Sequence, residues 1–172
     1  NVSGNVTVNT GNGTIGRGTF NISGSTTISA GRTLTFNSST GAKTFTGLFS
    51  NAGTITMTAN PAINFGGGVN NSGTMNLTGT GTYSFTANQS ITGSSAILFG
   101  GVVAIGANTV TNQNTSTITM NNNLTGTGTW INDVNSYVSY NGTTAPAPTL
   151  TNNANSTWEY SNTVNQAVKG AT

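Results

Sequence analysis

The sequence predicts an all-β protein, a three-sided parallel β-helix (β-solenoid) of about eight coils of ~20–21 residues each. Three observations lead to this fold. The phrase NAGTITM at 51–57 returns as NSGTMNL at 71–77, twenty residues later. Apolar and polar residues alternate with a period of two, as in strands with one buried face. Thr, Asn, Gly and Ser make up 103 of the 172 residues and charged residues only 3%, which suits stacked coils because like charges on neighbouring coils would repel.

The clearest apolar series, which we call wall A, places two inward residues on each successive coil. The first members of successive pairs are 20 to 22 residues apart. Polar residues, mostly Thr, lie between the inward ones and are expected to face outward. The predicted core ladder of wall A is Leu34, Phe36, Ile55, Met57, Met75, Leu77, Ile97, Phe99, Ile118, Met120, Val138, Tyr140, Trp158 and Tyr160.

Two weaker series with the same period complete the triangle. Wall B is expected to contain Phe20, Ile22, Phe45, Ile63, Phe65, Tyr83, Phe85, Val103, Ile105 and Leu124. Wall C is expected to form one ladder of Val8, Ile28, Leu48, Val69, Ile91, Val110, Trp130 and Leu150. Ile15 is assigned to the beginning of wall A.

Gly and Asn clusters separate the three series and are expected to form the corners, because both residue types tolerate positive φ. Asn51 and Asn71 fall at equivalent corners, so their amides are expected to hydrogen-bond along the axis. Coils stacked about 4.8 Å apart give a rod roughly 40 Å long. Right-handed coiling is the default expectation for parallel crossovers.

Residues 1–172 are interpreted as a single β-solenoid domain with one irregular segment near 141–149. Pro146 and Pro148 lie in that segment, and proline cannot donate to a ladder of backbone hydrogen bonds. The pattern begins and ends within a repeat, which favours a segment or repeating unit of a larger fibre. The expected partner is therefore a further coil, supplied by the same chain or by end-to-end self-association.

Chemistry of the enzymatic kind is not expected. The chain has no histidine and no cysteine, which removes imidazole bases, thiolate metal sites and disulfides. Asp133 and Glu159 are the two carboxylates, and the predicted register places them a coil or more apart, in a turn after wall C and outward on wall A. A glycosidase needs a close pair of carboxylates, so we predict no enzyme activity, no cofactor and no metal site.

The charges and the apolar runs also argue against two classes of partner. The four basic residues are scattered, whereas nucleic-acid binding requires a clustered basic patch. No apolar run is long enough to span a bilayer. Neither nucleic-acid binding nor membrane insertion is expected.

The outward face of wall A is the candidate contact surface. Its predicted Thr-x-Thr residues are Thr33, Thr35, Thr54, Thr56, Thr117 and Thr119. A regular array of this kind would suit an ice-binding face, but exposed strands favour Thr in any case. The array is also interrupted at Ala96/Leu98, Tyr137/Ser139 and Thr157/Glu159. Tyr137 is the outward aromatic residue best suited to contact surface glycans, whereas Trp158, Tyr140 and Tyr160 are expected in the core.

Three stretches resemble one group of known proteins: ISAGRTLTFNSSTG at 28–41, NNSGTMNLTGTGTYSF at 70–85, and the segment from WINDVNSYVSY to the C terminus. They resemble the long, adhesin-like β-strand-repeat surface proteins of Bacteroidota. The resemblance rests on the style of the repeat and extends over essentially the whole chain. It implies an exported protein, extracellular or at the cell surface, that acts as a structural fibre or adhesin without catalysis, and a glycan-binding rod or an ice-binding solenoid is the alternative.

Overall fold

The computed structural model describes residues 1–166 and 168–170. It confirms the three-sided parallel β-helix of about eight coils. Each coil passes through wall C, then wall A, then wall B, and each strand pairs in parallel with its equivalent on the next coil. The described residues contain no helix.

The strands are numbered in chain order, and each wall takes every third one over most of the described chain. Wall C contains β1 (Val6–Val8), β4 (Thr26–Ile28), β7 (Phe49–Asn51), β10 (Val69–Asn71), β13 (Gln89–Gly93), β16 (Thr109–Asn114), β19 (Thr129–Asn132) and β21 (Thr149–Asn152). Wall A contains β2 (Gly13–Ile15), β5 (Thr33–Phe36), β8 (Thr54–Met57), β11 (Thr74–Leu77), β14 (Ile97–Phe99), β17 (Thr117–Met120), β20 (Tyr137–Tyr140) and β22 (Thr157–Tyr160). Wall B contains β3 (Phe20–Ile22), β6 (Lys43–Phe45), β9 (Ile63–Phe65), β12 (Tyr83–Phe85), β15 (Val103–Ala104) and β18 (Leu124–Thr125).

We number the coils by these strands. Coil 1 contains β1, β2 and β3, and coils 2 to 6 contain the next five sets of three strands. Coil 7 contains β19 and β20, and coil 8 contains β21 and β22.

The core is a continuous column of apolar side chains along the rod axis. Stacked rings run up wall B, where the centroids of Phe45 and Phe65 are 6.1 Å apart and those of Phe65 and Phe85 are 5.7 Å apart. Each fully buried Leu, Ile or Phe contributes about 1.5–3 kcal/mol of transfer free energy. The fold therefore gains its stability from many equivalent layers.

Wall C differs from the expectation of one continuous apolar ladder. The register pairs Val8 with Ile28 and then Ile28 with Asn51, whereas Val69 pairs with Phe49 and Ile91. Further along, Val110, Trp130 and Leu150 form a third column, which continues from Gln89. The apolar column thus moves twice by two residues, because a strand with period-two alternation has more than one inward position and any of them can carry the apolar residue.

Leu48 is a wrong assignment within wall C. Its side chain is 42% exposed, while the next residue, Phe49, is 1% exposed and lies in β7. The ring of Phe49 packs against Phe45 at 4.8 Å and against Phe65 at 5.5 Å. The larger aromatic side chain fills the core at this coil, and Leu48 lies at the corner before the strand.

Wall B has no strand in the segment 141–148, and all of those residues are described. The Tyr140 side chain takes over some of the hydrogen bonding there, since its hydroxyl donates to the carbonyl of Thr144 at 2.8 Å and accepts from the backbone N–H of Leu124 at 3.3 Å. Pro146 and Pro148 are buried in the segment. The Tyr140 hydroxyl thus forms hydrogen bonds with backbone groups that a strand containing proline could not pair.

The corner between walls C and A requires glycine because neighbouring coils come very close there. A Cβ built on Gly73 would lie 2.1 Å from the carbonyl oxygen of Gly53, and one on Gly53 would lie 2.2 Å from that of Arg32. Real Cβ atoms do not approach backbone oxygen so closely. The Asn-x-Gly-Thr motif, which occurs at 51–54 and again at 71–74, is therefore the sequence signature of closely stacked coils.

The burial of Tyr83 predicts how the stability of the fold changes at alkaline pH. Its ring is fully buried, its hydroxyl donates to the carbonyls of Leu77 (2.9 Å) and Gly79 (2.6 Å), and burial raises its pKa well above the ordinary value of 10.0. Above about pH 10 the unfolded chain loses this proton while the folded chain keeps it, so the free energy of unfolding falls as the pH rises. Buried Tyr140 acts in the same direction, because burial raises its pKa too.

The measurement is equilibrium denaturation between about pH 8 and pH 12. Tyr83→Phe is expected to cost about 1–2 kcal/mol at neutral pH through the lost hydrogen bonds, and to make the alkaline decline less steep. Lys43, whose pKa burial lowers, contributes an opposite slope just below 10.5, so Lys43→Met serves as the comparison. If the stability of Tyr83→Phe fell with pH as steeply as that of the unmodified chain, the alkaline decline could not be assigned to Tyr83.

Candidate binding face on wall A

The outward positions of wall A form two aligned columns of small polar residues. Thr33, Thr54 and Thr74 are register neighbours in one column, and Thr35 and Thr56 in the other. Four of the six predicted threonines therefore form one patch on β5 and β8, with side chains that are half-buried between those of adjacent coils. The patch presents hydroxyls and methyls on a regular lattice.

The remaining two predicted threonines, Thr117 and Thr119, lie on β17 and do not join that patch. Leu98 on β14 is the register neighbour of both Asn76 and Thr119, so it interrupts the second column. The structure thus brings together the threonines of coils 2 and 3 and separates them from those of coil 6.

Tyr137 lies outward on β20, in register with Thr117 and Thr157. Its hydroxyl donates to Oε2 of Glu159, and the adjacent Ser139 donates to Ser161 at 2.9 Å. The ring is half-buried. Tyr137 is therefore held in a hydrogen-bonded cluster at the C-terminal end of the face, next to the one carboxylate of wall A.

The fourteen predicted ladder residues lie on the other side of the same strands and supply the rigid support of the face. Met57, Trp158 and Tyr160 are partly buried and pack against the core. The fully buried members are Leu34, Phe36, Ile55, Met75, Leu77, Ile97, Phe99, Ile118, Met120, Val138 and Tyr140.

Asp133 lies at the corner between walls C and A, just after β19. Gln113 Nε2 donates to its Oδ2 at 3.0 Å, and Asn153 Nδ2 donates to its Oδ1 at 2.8 Å. Gln113, followed by Asn153 and the backbone N–H of Val134, holds the pKa of Asp133 below its usual value. The carboxylate is therefore an anion tied to its neighbours on wall C, whereas Glu159 is bonded to Tyr137 on wall A.

Two features of the interior, a buried lysine and a set of buried asparagines, were not predicted to lie in the core. Lys43 is fully buried, and its ammonium donates to the carbonyls of Gly16 (2.8 Å), Gly18 (2.5 Å) and Thr40 (2.9 Å). Its register neighbours are Phe20 and Ile63. Alignment of Lys43-Thr44-Phe45 with Ile63-Asn64-Phe65 was the sequence signal for an inward lysine.

Buried asparagines are the second interior feature. Asn51 Nδ2 donates to Asn71 Oδ1 at 2.9 Å, as expected from their equivalent positions, and Asn112 Nδ2 donates to Asn132 Oδ1 at 2.7 Å. Asn51 is not a corner residue but the last residue of β7, and it is 1% exposed. These amides occupy inward positions of wall C on the coils where the apolar residues have moved to another column.

A shallow depression of about 400 Å³ lies on wall C beside the corner to wall A. Hydroxyl, amide and methyl groups line it, and no charged residue does; they include Thr27, Ser29, Ser50, Ala52, Asn70 and Ser72. Such a surface matches the hydrogen-bonding groups of an uncharged polar ligand better than those of an ion.

Within residues 1–166 and 168–170, no group of three or more His, Cys, Asp or Glu residues is placed to hold a metal ion. The same part of the chain has no helix long and apolar enough to cross a membrane. Comparison of the chain with known protein families, with curated proteins and with solved structures finds no match.

Proposed function

We propose that the chain is a non-catalytic structural module of an extracellular surface fibre, filament or adhesin. The observation that supports it is the unbroken coil-to-coil pairing, which runs through walls C and A from the first described coil to the last. Backbone hydrogen bonds between adjacent coils point along the rod. A pulling force along the axis would be shared by three ladders over most of the length, as a spacer or fibre requires.

Side chains add a second set of links along the same axis. Amide pairs join residues twenty positions apart, such as Asn21 to Asn1, Asn51 to Asn71, and Asn141 to Asn121. These links are uncharged, so salt and moderate changes of pH have little effect on them. A module stabilised in this way suits exposure to a variable environment outside the cell.

The proposed partner is a further stack of the same coils, either in the same chain or in a second copy joined end to end. A regular period means that an added coil would continue each ladder in register. Electron microscopy of native material, labelled with an antibody against this chain, tests the proposal. Label along fibres at the outer cell surface is the expected result. Label confined to the cell interior, or to isolated particles, would overturn it.

The depression on wall C favours a second candidate, a rod that binds neutral glycans. Its hydroxyl and amide lining supports it, and three of the lining residues, Thr27, Ser50 and Asn70, are register neighbours in one outward column. A glycan array with the unmodified chain and with Ser50→Lys distinguishes the two functions. Binding lost only in the variant supports a glycan site, and the absence of binding leaves the fibre module as the function. The interruption of the Thr columns at Leu98 argues against an ice-binding face, and thermal hysteresis is the corresponding measurement.

A further inference from the structure

Five of the six charged side chains are segregated by sign along the rod, and Lys169 is the exception. Arg17, Arg32 and Lys43 belong to coils 1 and 2, and Asp133 and Glu159 to coils 7 and 8. Residues 44–132 between them contain no charged residue at all. The described rod therefore has three positive charges near one end, a neutral middle, and both carboxylates together with Lys169 near the other end.

Four of these charges lie on the outward face of wall A or at one of its two corners. Arg32 directly precedes β5 and Asp133 directly follows β19, so both lie at the corner between walls C and A. Arg17 follows β2 at the corner to wall B and is exposed, and Glu159 is exposed on β22.

The other two charges have their partners away from this face. Lys43 is buried against three carbonyls. Lys169 donates to the carbonyls of Ala147 (2.9 Å) and Pro148 (2.6 Å) in the irregular segment.

Beside wall A there are thus two arginines near one end and two carboxylates near the other. Arg17 and Glu159 are exposed, whereas Arg32 and Asp133 are half-buried, and Arg32 Nε donates to the carbonyl of Asn9 at 3.0 Å.

The positions of the four charges obey one symmetry. Arg32 is on coil 2 and Asp133 on coil 7, while Arg17 is on coil 1 and Glu159 on coil 8. The midpoint of both pairs falls between coils 4 and 5. A twofold axis parallel to the strands at that point reverses the rod direction and keeps each corner opposite the same corner. It places Arg32 opposite Asp133 of a second copy, and Arg17 opposite Glu159 of that copy.

We propose that the outward face of wall A pairs with the same face of a second, antiparallel copy of this chain. The interface has Leu98 of coil 5 next to the twofold axis, threonine methyls around it, and opposite charges at both ends. Two sheets pack face to face about 10 Å apart. Such an isologous contact closes after two copies, whereas end-to-end stacking continues to grow.

The area of the outward face of wall A determines how tightly the two copies are expected to bind. Eight strands at about 4.8 Å spacing, each about four residues of about 3.3 Å, present roughly 500 Å² per copy. The pair would bury roughly 1,000 Å² in total, near the lower limit of specific interfaces. The dimer is therefore weak and reversible, and it weakens further as salt screens the terminal charge pairs.

Sedimentation velocity of the 172-residue chain tests the charge pairs at about 20 mM and about 500 mM salt. The unmodified chain is expected to form a dimer that weakens at high salt. Arg32→Asp and Asp133→Arg are each expected to weaken it about tenfold or more at low salt, and the double variant to recover most of the affinity. A chain that stays monomeric at all concentrations, or a double variant as weak as the single ones, would overturn the proposal.

The centre of the face has its own test. Leu98→Lys brings two like charges together beside the twofold axis and is expected to abolish the dimer. Ala104→Lys, which adds the same charge on β15 of wall B in the same coil, is the matched control and should leave the dimer unchanged. Equal loss in both variants would contradict a contact through wall A. Concentration-dependent growth beyond two copies, unaffected by Leu98→Lys, would show end-to-end stacking without this pairing.

Discussion

Replacing Asn71 with leucine is expected to lower the free energy of unfolding by about 3–5 kcal/mol, although the two side chains have the same branching and the same number of heavy atoms. Asn71 Oδ1 accepts from Asn51, and Asn71 Nδ2 donates to the carbonyls of Ser95 (3.2 Å) and Ala96 (3.0 Å). Leucine would remove all three bonds. Asn51 Nδ2 would still donate to the carbonyl of Thr74, and the carbonyl of Ser95 would still accept from Asn114. One amide N–H of Asn51 and the carbonyl of Ala96 would therefore lose this partner. Each unsatisfied buried polar group costs about 1–3 kcal/mol, which outweighs the gain from burying an apolar side chain.

The measurement is equilibrium unfolding in urea, followed by the change in midpoint at constant slope. Asn70→Leu is the matched control, because Asn70 is the exposed neighbour on the same strand, and a surface change there is expected to stay within about 0.5 kcal/mol. If both variants lost equally little, the amide ladder would not contribute to stability. If Asn71→Leu does not fold, Asn71→Ser, which keeps one hydroxyl, provides a milder form of the same measurement.

Trp130→Ala is expected to cost about 3–5 kcal/mol, the usual cost of removing a large buried aromatic side chain. Trp130 is fully buried and packs edge to face against Phe85 at 6.4 Å and against Trp158 at 6.3 Å between ring centroids. It connects the phenylalanine column of the middle coils with the aromatic cluster of the last two. Its removal would leave a cavity at the point where that connection is made.

Trp130→Phe separates packing from hydrogen bonding. Among the described residues, Trp130 Nε1 has no hydrogen-bond acceptor although it is buried. Phenylalanine removes this donor, so the smaller ring is expected to change stability by about 1.5 kcal/mol or less. Thermal and urea unfolding of both variants, with half-buried and outward Ile131→Ala as the control, measure the difference. A loss in Trp130→Phe as large as that in Trp130→Ala would mean that Nε1 has a bonding role.

The residues that form the candidate contact face could largely be predicted from the sequence, but their contacts and their function could not. Period-two alternation on wall A identifies which side of β5 faces outward, so Thr33 and Thr35 could be placed from the sequence. It does not say that Tyr137 is bonded to Glu159, because Glu159 is the register neighbour of Ser139 and the bond runs diagonally between the two outward columns. The symmetric placement of Arg32 and Asp133 likewise depends on the coil to which each belongs.

The sequence by itself determined the architecture, because a repeat of about twenty residues with alternating apolar positions can bury its core only by stacking coil on coil. It also determined the inward side of wall A and the pairing of Asn51 with Asn71. The tertiary structure alone decided which inward column of wall C is apolar, that Phe49 and not Leu48 fills the core, and which carbonyls bind the ammonium of Lys43. A polar side chain can lie inside only when carbonyls or amides meet it, and most of those partners, such as Gly16 and Gly18 for Lys43, are on another coil and far away in sequence.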